Sequence, residues 1–146
     1  MSTETQASHT FDAVAVGDEL PATTYTVHRI NLVQYAGASG DFNVIHWNER
    51  IATMVGLPNV IAHGMFTMAE AGRVVTDWCG DPGAVEEYKV RFSKPVVVPD
   101  DDKGATLTVS GEVTEKLDGN RVVVTLTATA ADQTVLQGAR ATVRLT

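Results

Sequence analysis

The stretch covering residues 61–79 constrains the fold of this chain more than any other. Ile61, Met65, Met68, Gly72, Val75 and Cys79 recur at alternating steps of four and three, which is helix periodicity. Phe66, Ala69, Ala71, Val74 and Trp78 are apolar as well, so only a narrow stripe through Glu70, Arg73 and Asp77 is charged. The spacing of that stripe permits ion pairs along the helix. A helix that is apolar on most sides has to be covered on most sides. The rest of the chain must therefore wrap it.

The C-terminal half reads as the wrapping. Tyr88, Val90 and Phe92 alternate with Lys89 and Arg91, the period of a half-buried strand. Leu107 and Val109 alternate with Thr106, Thr108 and Ser110. Val122, Val124, Leu126 and Ala128 alternate with Val123, Thr125, Thr127 and Thr129. Ala139, Ala141, Val143 and Leu145 alternate with Arg140, Thr142 and Arg144. Asp118-Gly119-Asn120 is a hairpin signal between two of these runs. Upstream, the Val16-Gly17-Asp18 turn precedes a short strand over residues 24–28, and a helix over residues 29–38 is stopped by Gly40. Asn48 is the expected N-cap of a second short helix running to Val55 and ended by Gly56 and Pro58. The expected class is α+β, a single domain in which an antiparallel sheet curves around one central helix. Residues 11–146 form that domain and residues 1–10 a flexible N-terminal tail; this length buries a core without metal or disulfide staples.

Eleven Lys and Arg against eighteen Asp and Glu give a formal charge of −7, which argues against nucleic acid as the main partner. The first ten residues lack the apolar stretch of a signal peptide, and no apolar run approaches the length of a bilayer span. A cytoplasmic protein without membrane contact is expected. Cys79, the only cysteine, allows no internal disulfide and has no companions for a thiolate metal site.

Chemistry concentrates in Ser39-Gly40-Asp41-Phe42-Asn43-Val44-Ile45-His46. Imidazole is the side chain best suited to move protons near neutral pH, and a nearby carboxylate can exchange a proton with a hydroxyl or water. Gly40 and Asn43 help the backbone turn between Asp41 and His46. Taken singly, Asp41 also reads as a turn residue bonding its own backbone, and His46 as a core histidine satisfied by a carbonyl. Ile61-Ala62-His63-Gly64-Met65 then opens the long helix. The first amides of a helix have no internal partner, and a glycine lets a ligand approach closely, so the Gly64 N–H can hold a developing oxyanion. Close packing is the alternative role for Gly64, and capping the loop is the preferred one for His63. A zinc site from Asp41, His46 and His63 matches no familiar ligand spacing.

At these residues the chain resembles the MaoC-like family of (R)-specific enoyl-thioester hydratases and 3-hydroxyacyl-thioester dehydratases. The resemblance runs from Phe11 and Val16-Gly17-Asp18 through Tyr35 and the Asp41-to-His46 motif to Ile61-Ala62-His63-Gly64-Met65 and Arg91-Phe92-Ser93-Lys94-Pro95-Val96. Gly80-Asp81-Pro82-Gly83-Ala84-Val85 and Glu87-Tyr88 are similar to the subgroup that serves fatty acid and mycolic acid elongation. One departure is Val44, where the family motif usually has proline and hence a loop restricted in advance.

The resemblance implies a hot-dog fold, with Asp41 and His46 as the catalytic pair and Gly64 as oxyanion donor. It implies reversible dehydration of (3R)-hydroxyacyl thioesters to trans-2-enoyl thioesters, with no metal or other cofactor. A hot-dog thioesterase and a non-catalytic partner subunit that binds acyl chains or acyl carrier protein are the alternatives. The substrate would be an acyl-ACP or acyl-CoA, whose anionic carrier needs a local basic patch on this acidic chain. Lys89, Arg91 and Lys94 are the candidates, with Asn43 and His63 as further substrate-side residues. The family implies a dimer, either of identical subunits or with a paralogous hot-dog subunit.

Overall fold

A computed structural model describes residues 9–146. Of the expected N-terminal tail, residues 1–8 lie outside the described residues, and the His9 ring stacks on Trp78 at 4.8 Å between centroids.

Strand β1 (Glu19–Val27) leads into helix α1 (Arg29–Ser39), then a short helix α2 (Glu49–Met54) and the long helix α3 (Gly64–Cys79). Four strands follow: β2 (Val85–Phe92), β3 (Ala105–Leu117), β4 (Arg121–Ala130) and β5 (Gln133–Arg144). They form one five-stranded sheet in the order β1-β3-β4-β5-β2, antiparallel throughout. Its inner face carries Leu107, Val109, Val113, Val122, Val124, Ala128, Ala139, Ala141 and Val143, all buried. That face closes on Ala71, Val74, Val75 and Cys79 of α3, forming one apolar cluster. Each Val or Leu so buried contributes about 1.5–3 kcal/mol relative to exposure. This is an α+β hot-dog, a sheet wrapped around its central helix.

Local chemistry sets the element ends. Gly40 and Gly80 terminate α1 and α3 in the left-handed region, at φ 76° and 73°. Asn48 caps α2, its side chain accepting from the Ile51 amide at 3.1 Å. The turn from β3 to β4 places Gly119 and Asn120 at φ 76° and 57°, the backbone that the Asp-Gly-Asn triplet favours.

Two expectations are corrected. The long helix starts at Gly64 rather than at residue 61, because the Ala62 amide donates to the Val96 carbonyl at 2.9 Å and Ile61 bridges Val97. Tertiary pairing there overrides the apolar period that continues upstream. The first strand is longer than residues 24–28 and begins at Glu19, since polar residues suffice on the outward face of an edge strand. The wrapped helix keeps one accessible flank. Met65 is 56% exposed and Phe92 is 51% exposed, so one flank of α3 and the end of β2 stay open.

Two packing details position the site. The Tyr88 ring lies 3.0 Å from where a Cβ on Gly72 would sit, and its hydroxyl donates to the Met68 carbonyl at 2.7 Å. Burial pushes the Tyr88 pKa up to about 12, so it acts as a neutral donor. At the start of α1, Arg29 donates from Nε to the Val98 carbonyl at 2.7 Å and from Nη2 to Asn59 Oδ1 at 2.8 Å. It thereby ties the helix that precedes Asp41 to the segment that precedes α3.

Gly104 supports that junction. Its φ is +70°, and a Cβ there would lie 2.6 Å from the Val27 carbonyl oxygen and 2.8 Å from His28 Nδ1. Left-handed backbone costs a non-glycine residue about 1–2 kcal/mol, and overpacking adds about 1–3 kcal/mol. Gly104→Ala is therefore expected to lower the free energy of unfolding by the sum of those terms, and the urea midpoint by that sum divided by the m-value. An unchanged midpoint would contradict the close approach.

Candidate active site

Asp41 follows the left-handed Gly40, and its Oδ1 accepts from the Asn43 amide at 3.1 Å. Asn43 Oδ1 in turn accepts from the Ile45 amide at 3.3 Å and caps the 3₁₀ turn Val44–His46. These two side-chain bonds shape the loop where the family motif has a proline, and Val44 sits partly exposed on it. The Asn43 side chain is thus occupied with the backbone.

His46 is only 7% exposed. Its Nδ1 lies 2.7 Å from the Ile61 carbonyl oxygen. A carbonyl can only accept, so Nδ1 carries the proton and donates it, leaving Nε2 with its lone pair. Burial lowers the His46 pKa below the usual imidazole value, opposed by the Ile61 hydrogen bond, reinforced by His63 and opposed again by Asp41. The ring is therefore a neutral base at neutral pH.

His63 lies behind it. The two imidazoles stack at 3.8 Å between centroids and 24° between planes. His63 is 1% exposed, and its Nε2 donates to the Asp41 backbone carbonyl at 3.0 Å. A substrate-side role was expected of His63; the structure instead seals it between His46, Asp41 and the ring of Tyr35, out of reach of any carrier. Its Nδ1 is buried and has no hydrogen-bond partner among the described residues.

Asp41 is exposed, and one of its carboxylate oxygens lies within 4.8 Å of ring nitrogens of both His46 and His63. These three residues are also the one group of possible metal ligands found among the described residues. Together they offer one free nitrogen per imidazole and one carboxylate, three donors in all, one fewer than a closed structural zinc site takes.

A cavity of about 320 Å³ opens in front of His46, with Gly64, Thr67, Phe92, Lys94 and Leu136 on its walls. Gly64 supplies the first amide of α3, where the helix has no internal acceptor for it. The Phe92 ring lies 3.1 Å from where a Gly64 Cβ would be, so only glycine leaves that amide approachable. Of the expected basic residues, Lys94 reaches the cavity wall. Arg91 donates to Gln137 on the neighbouring strand, and Lys89 pairs with Glu87 at 3.1 Å, away from the cavity. Thr67, Phe92 and Leu136 were not singled out from the sequence. Phe92 stood in the quoted Arg91-to-Val96 run, whereas Leu136 is brought beside it only by the β2–β5 register. No helix among the described residues is long and apolar enough to cross a membrane.

Residues 12–134 match the model of the MaoC like domain. The chain is similar to an (R)-specific enoyl-CoA hydratase of Rhodospirillum rubrum, 31% identical over 94% of this chain and 93% of that protein. It is similar to 3-hydroxyacyl-thioester dehydratase X of Mycobacterium tuberculosis, 42% identical over 54% of this chain, and spans only 27% of that protein's length. A solved structure described as a MaoC-like dehydratase superposes with a TM-score of 0.92 at 41% identity, covering 97% of this chain and 43% of the other. With a family match across most of its length and the hot-dog fold to accompany it, this chain belongs to the MaoC-like family.

Proposed function

We propose that the protein reversibly dehydrates (3R)-hydroxyacyl thioesters to trans-2-enoyl thioesters, in the service of fatty acid or mycolic acid elongation. The observation that carries the reading is His46: a neutral imidazole tethered through Nδ1, its Nε2 lone pair left free, lining a cavity that Gly64 also lines, with an Asp41 carboxylate oxygen within 4.8 Å of a ring nitrogen. The relatives named as (R)-specific enoyl-CoA hydratase and 3-hydroxyacyl-thioester dehydratase support it.

In the dehydration direction His46 Nε2 takes the proton from the carbon next to the thioester carbonyl. The electron pair moves onto the carbonyl oxygen, where the Gly64 N–H donates to it. As the pair returns, the C–O bond breaks and Asp41 delivers its proton to the leaving hydroxyl, which departs as water. Imidazolium and carboxylate then exchange one proton to restore the starting state. The thioester itself acidifies the C–H bond.

The unpaired sheet edges favour a dimer, of two copies or with a paralogous hot-dog subunit. Edge strands β1 and β2 each leave a row of backbone groups unpaired in this chain, and the open flank of α3 at Met65 and Ala69 needs cover. The buried free thiol of Cys79 accords with a cytoplasmic setting.

Hydration of a crotonyl thioester tests the reading. Enone absorbance should fall with no release of thiol; thiol release at constant hydration would assign a thioesterase, and no change in either would leave a non-catalytic subunit. The pH profile follows from the burial of His46. Only the neutral ring accepts a proton, and burial disfavours imidazolium, so the acid limb of kcat/KM for dehydration should fall below the ordinary imidazole value of 6.5. A limb above 6.5 would exclude His46 as that base.

A further inference from the structure

Asp41 sits on an exposed loop whose hydrogen bonds are almost all local. Its amide donates to Ser39 Oγ at 3.2 Å, its Oδ1 accepts from the Asn43 amide, and the Phe42 carbonyl accepts from Trp47 Nε1 at 3.1 Å. None of those bonds spans more than five positions. The Asp41 carbonyl is different, because it accepts from His63 Nε2, 22 positions away at the start of α3. Among the described residues this is the one hydrogen bond that joins residues 40–43 to a distant part of the fold.

Neither the helix nor the core explains an imidazole at this position. His63 is the N-cap of α3, yet its side chain makes no capping bond. Its ring is buried, stacked on His46 and flanked by Tyr35, which in turn meets Phe66 edge-on at 5.6 Å. Its Nδ1 has no partner among the described residues. A buried nitrogen left unpaired costs stability that a phenyl ring of similar shape would not. Packing alone therefore favours phenylalanine, and what imidazole adds is the donor on Asp41. We propose that His63 is a positioning residue for the reaction, a single ring that fixes the separation of acid and base by gripping the Asp41 carbonyl and lying against the face of His46. The inference rests on the dehydratase reading above and adds to it how the acid is placed.

The loop needs such a hold from outside. Val44 stands where a proline would restrict the backbone in advance, and the local side-chain bonds can shift with the loop as one piece. The carbonyl that His63 grips belongs to Asp41 itself, so a displacement there carries the carboxylate with it. A reacting group misplaced by about 1 Å costs on the order of 10²-fold in rate. The loss belongs to kcat rather than KM, because Asp41 delivers its proton only as the C–O bond breaks. His63 therefore acts on the chemistry without touching the substrate.

Two substitutions separate the donor from the ring. His63→Phe keeps a flat ring against His46 but cannot donate, whereas His63→Gln keeps an N–H donor near the place of Nε2 without the ring. In hydration of a crotonyl thioester, His63→Phe should lose about 10–10²-fold in kcat with KM changed by no more than about twofold. His63→Gln should recover most of that loss. In an Asp41→Asn background there is no acid left to place, so His63→Phe should alter the remaining rate by no more than about twofold. An equal loss in both backgrounds (the mark of a packing role), a fully active His63→Phe, or a His63→Gln as slow as His63→Phe overturns the proposal. Should phenylalanine prevent folding, His63→Leu, which also lacks a donor, is scored by the same outcomes. Hydrogen exchange at the Asn43 and Ile45 amides reads the loop without turnover: it should quicken in His63→Phe and stay at the wild-type rate in His63→Gln, and unaltered exchange in both overturns the proposal. A wild type that hydrates no thioester, with exchange shifted as expected, would fell the dehydratase reading and leave the hold on Asp41 in place.

Discussion

His46→Gln is expected to leave a folded protein whose hydration of crotonyl thioesters has dropped by about 10²–10⁴-fold, the range that one positioned acid/base group supplies. Glutamine is chosen because its amide can still donate to the Ile61 carbonyl, which would otherwise lose a 2.7 Å partner in a buried setting. What it lacks is a basic lone pair at the position of Nε2. Asp41→Asn should act on the same scale. It can still accept from the Asn43 amide and so keep the loop, but it has no proton to exchange. The pair works as a unit, so the double variant should be little worse than either single one. Stopped-assay rates on all three, with thermal unfolding to show intact folds, decide the matter. Near-normal turnover in either single variant would remove that residue from the mechanism.

Gly64→Ala is the second large effect. The glycine is in ordinary helical backbone, so alanine should favour the helix by about 0.5–1 kcal/mol. Activity should nevertheless fall by about 10²–10³-fold, mainly in kcat, as when one oxyanion donor is lost. The methyl would stand 3.1 Å from the Phe92 ring, in the space through which a thioester oxygen reaches the amide. Adding Phe92→Ala separates two causes. If the methyl acts only by displacing the ring, the double variant recovers; if it blocks the amide itself, activity stays low. A more stable and fully active Gly64→Ala would withdraw the oxyanion role.

Much of the architecture was legible in residue order because it depends on local chemistry. Gly40 stops α1 and Gly119-Asn120 turn the chain through left-handed backbone that only a few residue types favour, and Asn48 caps α2 through its side-chain oxygen. The alternating runs of β3, β4 and β5 likewise declare which face is buried. What escaped depends on contacts far away in the chain. Residues 61–63 continue a helical apolar pattern, yet pairing with Val96 and Val97 keeps them out of the helix. No periodicity could show that. The same holds at the candidate site. The spacing of Asp41 and His46 is visible, but the tautomer of His46 is set by a carbonyl fifteen residues on. That His63 packs face-on against His46, rather than facing substrate, follows only from the fold. Lys89 is the exception, since Glu87, which pairs with it, is only two residues away.

The carbonyl that tethers His46 belongs to Ile61, and Gly64 is only three positions further along the same backbone. Motion of the 61–64 segment therefore carries base and amide donor together, and the His63 bond to the Asp41 carbonyl ties the acid's backbone to the same segment. A molecule built this way keeps its enolate-forming machinery in alignment as it breathes, with the handling of water tethered to it through one imidazole.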